Sequence, residues 1–171
     1  FMPFGDMAGV LDNFATTGTA AQKAIDSVSS CKVALFGSRL KFPVVDESNL
    51  QQTSVVSVES CNRKDGVDMD TLRGRHDEFV AASAATNADY IWNVVWPMAG
   101  VPSIAANGAD RFDFANMIWF PSLTSQMAIL DNEVNGELRM LRKTYLQSFA
   151  DCHDRNMFNV KILNVPSRPW T

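Results

Sequence analysis

Long apolar runs are missing from this sequence. No stretch reaches the ~18 residues needed to cross a bilayer as a helix, and the most apolar segment, Tyr90 to Val101, is interrupted by Asn93 and Pro97. No transmembrane segment is expected. An excess of positive charge is missing too: 15 basic and 19 acidic residues give a formal net charge of -4. They are scattered along the chain, so no basic face offers itself to a phosphate backbone, and nucleic acid is not an expected partner. Cysteine is scarce. Cys31, Cys61 and Cys152 are too few for a disulfide scaffold and lack the C-x-x-C spacing of a zinc or redox site. They read as three buried or half-buried thiols, with a Cys31–Cys61 bridge as the alternative. Internal repeats and low-complexity tracts are absent. Gly37, closing the apolar run that ends at Phe36, lacks the companion glycines of a dinucleotide or phosphate-binding loop, so it reads as punctuation.

What is present suits one globular domain over residues 1–171. Hydrophobic residues make up 46% and charged residues 20%, a balance that excludes wholesale disorder and lets a single core form. The chain opens on Phe1 rather than Met, which is compatible with removal of a targeting peptide. The compartment is left open.

Helical spacing recurs in three places. Met7, Val10, Leu11 and Phe14 mark a short helix, and Ala21, Ala24, Ile25, Val28 and Cys31 mark a second. Asp68 and Asp70 cap a third that runs to about Ala85 and buries Leu72, Phe79, Val80 and Ser83. Lys32 to Gly37 is ambiguous between helix and strand. Lys41 to Val45 is extended because Pro43 excludes a helix interior, and Thr53 to Glu59 is a strand rich in β-branched residues. Asn87 to Trp96 reads as a further short helix before Pro97. Phe158 to Ile162 alternates apolar and polar residues as a strand does, and is placed beside the Val55 strand.

The segment Ser122 to Cys152 carries Leu123, Met127, Leu130, Val134, Leu138, Leu141, Tyr145, Phe149 and Cys152 at alternating steps of four and three, the signature of one long amphipathic helix. At 1.5 Å per residue it would reach about 45 Å, longer than a small domain is wide. Either Gly136 bends it or part of its stripe packs on something outside the chain. The fold expected is therefore α+β and helix-dominated, with a small sheet from the Val45, Val55 and Val160 regions and one long C-terminal amphipathic helix. An all-α bundle is the alternative.

No combination of side chains reads as a catalytic, cofactor or metal site. In Cys152-His153-Asp154, neighbours on a helix point about 100° apart, so thiol and imidazole do not face each other. His76-Asp77-Glu78 reads as an exposed polar stretch, and Asp65, Asp68 and Asp70 lack the spacing of a calcium loop. The aromatic residues beside prolines are more telling. Trp92, Trp96, Trp119 and Phe120, with Trp170 near the end, are candidates for docking a protein partner, since tryptophan is enriched at binding hot spots. The expected function is accordingly that of a non-enzymatic structural or interaction subunit whose partners are other protein subunits. The alternative is a small-ligand-binding protein or enzyme with a pocket between the Trp92–Phe120 segment and the long helix, where Asn93, Asn116, Asp113 and Arg111 supply the polar groups. A peripheral membrane role ranks last, resting on the same tryptophans without a basic flank.

Overall fold

Val55, Val56 and Val58 alternate with small polar residues, and β-branched side chains fit a pleated surface well. In the computed structural model, which describes residues 9, 12, 13, 15–29, 35–42, 53–86, 89–99 and 112–161, this run extends to Arg63 as a strand of 11 residues. The elements in chain order are α1 (Thr19–Asp26), β1 (Leu35–Phe42), β2 (Thr53–Arg63), α2 (Met69–Ala85), β3 (Ile91–Ala99), β4 (Phe114–Phe120), α3 (Leu123–Asn135), α4 (Leu138–Ser148) and β5 (Ala150–Lys161). The described strands form one sheet in the order β1-β3-β4-β2-β5, every neighbouring pair antiparallel. β2–α2–β3 and β4–α3–α4–β5 are two crossovers that each step over one strand. Both put their helices against the sheet, in the manner of a split βαβ arrangement.

This sheet is the core of the protein, so the expectation of a helix-dominated fold or an all-α bundle is overturned. The reason lies largely in β3. Asn87 to Trp96 reads as helix because its apolar residues are nearly continuous, but a strand buried on both faces also hides its period of two. Trp92 and Val94 join the cluster beneath the helices with Leu72, Phe114 and Tyr145, while Ile91, Asn93 and Val95 are buried on the opposite face. Pro97 is tolerated because β4 pairs only as far as Val95, leaving β1 as the neighbour at that end. Gly37 is no loop residue either. It lies opposite Trp96 in the β1–β3 register, and a Cβ there would fall 2.3 Å from the indole, so the ring covers bare backbone.

The long C-terminal rod is also corrected. α3 ends at Asn135, Gly136 turns to φ -103 and ψ -157, and α4 begins at Leu138. The Asn132 side chain accepts from the Leu138 backbone N–H at 3.1 Å, and a Cβ at Gly136 would lie 2.3 Å from that same oxygen. The break is held by a side chain that a larger residue would displace. Phe149 and Cys152 lie beyond α4, and β5 continues to Lys161, pairing Asn159 with Val55. The segments around Met7, Cys31 and Val45 lie outside the described residues.

Cys61 and Cys152 stand opposite each other in the β2–β5 register and form a disulfide. Neither is a free thiol, and Cys61 does not bridge to Cys31. Among the described residues, no helix is long and apolar enough to cross a membrane.

Candidate functional site

Sheet residues that point toward the helices meet α2, α3 and α4 around a cleft. The sheet supplies Glu59 from β2, Trp92 from β3, Asn116 and Ile118 from β4 and Arg155 from β5; the helices supply His76, Phe79, Ile129, Glu133, Leu138, Arg142 and Tyr145, with Tyr90 at the entry to β3. The space between them is about 490 Å³ with its open mouth included, but the centre of a water-sized sphere moves through only about 30 Å³ of it. A space of this size has room for a water or two, and a larger guest requires the walls of the cleft to move apart.

One wall is ionic. Glu59 accepts from Arg142 Nη2 and lies 3.4 Å from Arg155 Nε, while Arg155 Nη1 reaches Glu133 at 3.0 Å. The other Glu59 oxygen accepts from Asn116 Nδ2 at 3.4 Å. Burial pushes the Glu59 carboxyl up, but the guanidinium groups of Arg142 and Arg155 outweigh it and hold it below the usual carboxylate range. Burial likewise opposes the charge on Arg155, and the carboxylates of Glu133 and Glu59 more than restore it. Glu59 and Arg155 therefore both keep their charge at neutral pH.

The rest of the lining, contiguous with this wall through Asn116 and Tyr145, is largely aromatic and uncharged. Trp92 Nε1 donates to Asn116 Oδ1 at 3.1 Å, and the rings of His76 and Trp92 meet edge to face at 5.1 Å. His76 Nε2 lies 2.9 Å from the Tyr145 hydroxyl. Only 2% of His76 is exposed; burial first, and the charge of Lys41 second, lower its pKa to about 4. Burial pushes Tyr90 up to about 12 and raises Tyr145 further. These three groups are therefore neutral hydrogen-bonding partners at physiological pH, and none is poised to exchange protons there.

The sequence-based candidates are scattered by this geometry. Trp92 lines the cleft and Phe120 is sealed in the core, while Trp96 and Trp119 are half-buried; Trp170 lies outside the described residues. Of the polar groups expected at a pocket, only Asn116 lines it. Asn93 faces the other side of the sheet, Asp113 pairs with Arg63 at 3.3 Å on the surface, and Arg111 lies outside the described residues. His76 belongs to the interior rather than to an exposed stretch. On β5, Cys152 and His153 point to opposite faces and Cys152 is bonded to Cys61, which removes any cysteine–histidine pair. Asp68 caps α2 by accepting from the Thr71 N–H at 2.7 Å, as its place before the helix implies. Glu59, Cys61 and Cys152 bring a carboxylate and two sulfurs within 4.8 Å of one another. The sulfurs are spent on each other and Glu59 on two arginines, so the set is poorly suited to a cation.

Glu59, Glu133, Arg142 and Arg155 were hidden in the sequence. Charged residues away from an apolar stripe ordinarily face solvent, and the one signal against that reading was Glu59 itself, standing between Ser57 and Cys61 on an inward face.

A second feature lies on the outside. Leu123, Met127, Leu130 and Val134 fall within about 60° on α3, and Leu123, Met127 and Val134 are 57%, 43% and 61% exposed. The face turned inward carries Gln126 and Ile129 instead. The apolar stripe of this helix is thus rotated away from the core.

Comparison with known protein families, with curated proteins and with solved structures found no match to this chain.

Proposed function

We propose that this protein binds a small molecule in the cleft between its sheet and α2–α4. One observation carries the reading: a paired set of two carboxylates and two guanidiniums lines one cleft together with aromatic side chains. Taking such charges out of water is costly, and well-packed apolar side chains of similar volume would stabilise a fold at least as well. Polar groups convergent on an apolar pocket are how ligand sites are built. The neutral state of His76, Tyr90 and Tyr145 favours binding over proton-transfer catalysis at neutral pH. Screening small polar and aromatic compounds by ligand-observed NMR tests this, with Ile118→Trp to fill the cleft. Binding should appear in the wild type and vanish in the variant. Binding that survives the filled cleft, or no binder at millimolar concentration, overturns it.

A second reading is favoured by the outward stripe of α3, which suits docking of another protein surface as a non-enzymatic interaction subunit would require.

A further inference from the structure

The charges lining the cleft restrict what it can accept. Glu59 and Glu133 answer Arg142 and Arg155 one for one, so the ionic wall sums to zero. All four side chains are at least three-quarters buried. A guest with a net charge would bring an unpaired ion into this wall, or would have to break one of its pairs. Yet the wall is not saturated. Among the described residues, Arg142 donates one hydrogen bond, through Nη2 to Glu59, and Glu133 accepts through Oε2 alone. None of their remaining polar side-chain atoms is among those both sealed from solvent and unpaired. Arg142 and Glu133, which both line the cleft, thus keep donors and an acceptor that solvent reaches. Beside them, Trp92, Phe79, Ile118 and Ile129 offer apolar surface.

From this juxtaposition, and resting on the small-molecule reading above, we infer that the ligand is an uncharged amide-type molecule with a compact apolar body. Its carbonyl accepts from Arg142, its N–H donates to Glu133, and its apolar part lies against Trp92 and Ile118. A neutral group that both donates and accepts satisfies both open atoms without changing the charge of the wall. A carboxylate would answer Arg142 but repel Glu133. An ammonium would do the reverse.

Three molecules of nearly equal shape separate these cases: isobutyramide, isobutyrate and isobutylammonium. Each is titrated into the full chain while the indole N–H resonance of Trp92, whose partner is Asn116, is followed by NMR. Isobutyramide should shift it saturably and bind about tenfold or more tightly than either ion. Glu133→Gln leaves the wall with one net positive charge, so in that variant isobutyrate should overtake the amide. An ion that binds the wild type as tightly as the amide overturns the inference while leaving a small-molecule site in place. If none of the three moves the Trp92 resonance while the screen yields other binders, the ligand class is wrong. If the screen is empty as well, the site reading falls with it. The wild-type series decides the matter even if Glu133→Gln does not fold.

Discussion

At the scale of single residues, His76 shows how a polar side chain serves the interior. Its imidazole is held neutral against the Tyr145 hydroxyl, and its pKa falls from 6.5 to about 4. Below pH 6.5 the unfolded chain takes up a proton that the folded chain refuses, so stability declines as pH drops from 6.5 toward 4 and this contribution levels off below that. The decline attributable to this one group is of order 3 kcal/mol. Glu59 acts in a lower window: its pKa is depressed below 4.5, so its contribution is lost only as pH falls beneath that value. Urea unfolding of His76→Gln across this range should show a flatter profile between pH 6.5 and 4 than wild type, with the loss below pH 4.5 retained. An unchanged profile would mean that His76 is protonated in the folded protein. None of this was legible from His76-Asp77-Glu78, three polar residues in a row. Burial of the first followed from the turn of α2, which points Asp77 and Glu78 outward and His76 at Trp92.

At the scale of elements, the strands and helices were readable where local pattern and tertiary environment agree. Thr53 to Glu59, the Asp68 cap and the pairing of β5 with the Val55 strand belong to this class. β3 was hidden because burial of both faces erases alternation. The Ser122 to Cys152 rod misled because its heptad-like spacing continues through Gly136, while the break depends on Asn132 folding back on Leu138. β5 opens on Ala150 and continues through Asp151, Cys152, His153 and Asp154, residues with little strand propensity, and it is held by the bond to Cys61 and by the Glu59 and Glu133 carboxylates that Arg155 meets, partners that only the tertiary fold supplies. The spacing that misplaced the rod did foretell one thing: part of its stripe finds no cover among the described residues. Replacing Leu123 and Val134 with glutamate should therefore change folding stability by no more than about 0.5 kcal/mol each, since both are more than half exposed. If α3 docks a second copy, wild-type protein should sediment faster than a single chain and the double variant should not. Identical sedimentation as single chains would remove self-docking.

At the scale of the whole molecule, β5 closes the sheet by pairing along β2 and by the Cys61–Cys152 bond, whose partners are 91 residues apart in sequence. Cross-linking so distant a pair restricts the unfolded chain strongly, so Cys152→Ser should lower stability by about 3–5 kcal/mol. Denaturant titration measures this, and peptide mapping of the unreduced protein should recover the Cys61 and Cys152 peptides joined. A titration indistinguishable from wild type would show that strand pairing alone holds the edge. The cleft should suffer along with the edge, because Asn116 touches the Cys61 sulfur at 3.6 Å as well as Glu59 and Trp92.

The bond also imposes an order of events on biosynthesis. As the polypeptide leaves the ribosome, Cys61 emerges long before its mate, and Cys31, already synthesised, is the nearer thiol throughout that wait. Oxidation that is too early joins the wrong two and leaves the last strand untethered. An oxidoreductase able to reshuffle bonds should therefore raise the yield of native protein, most of all when translation is slow.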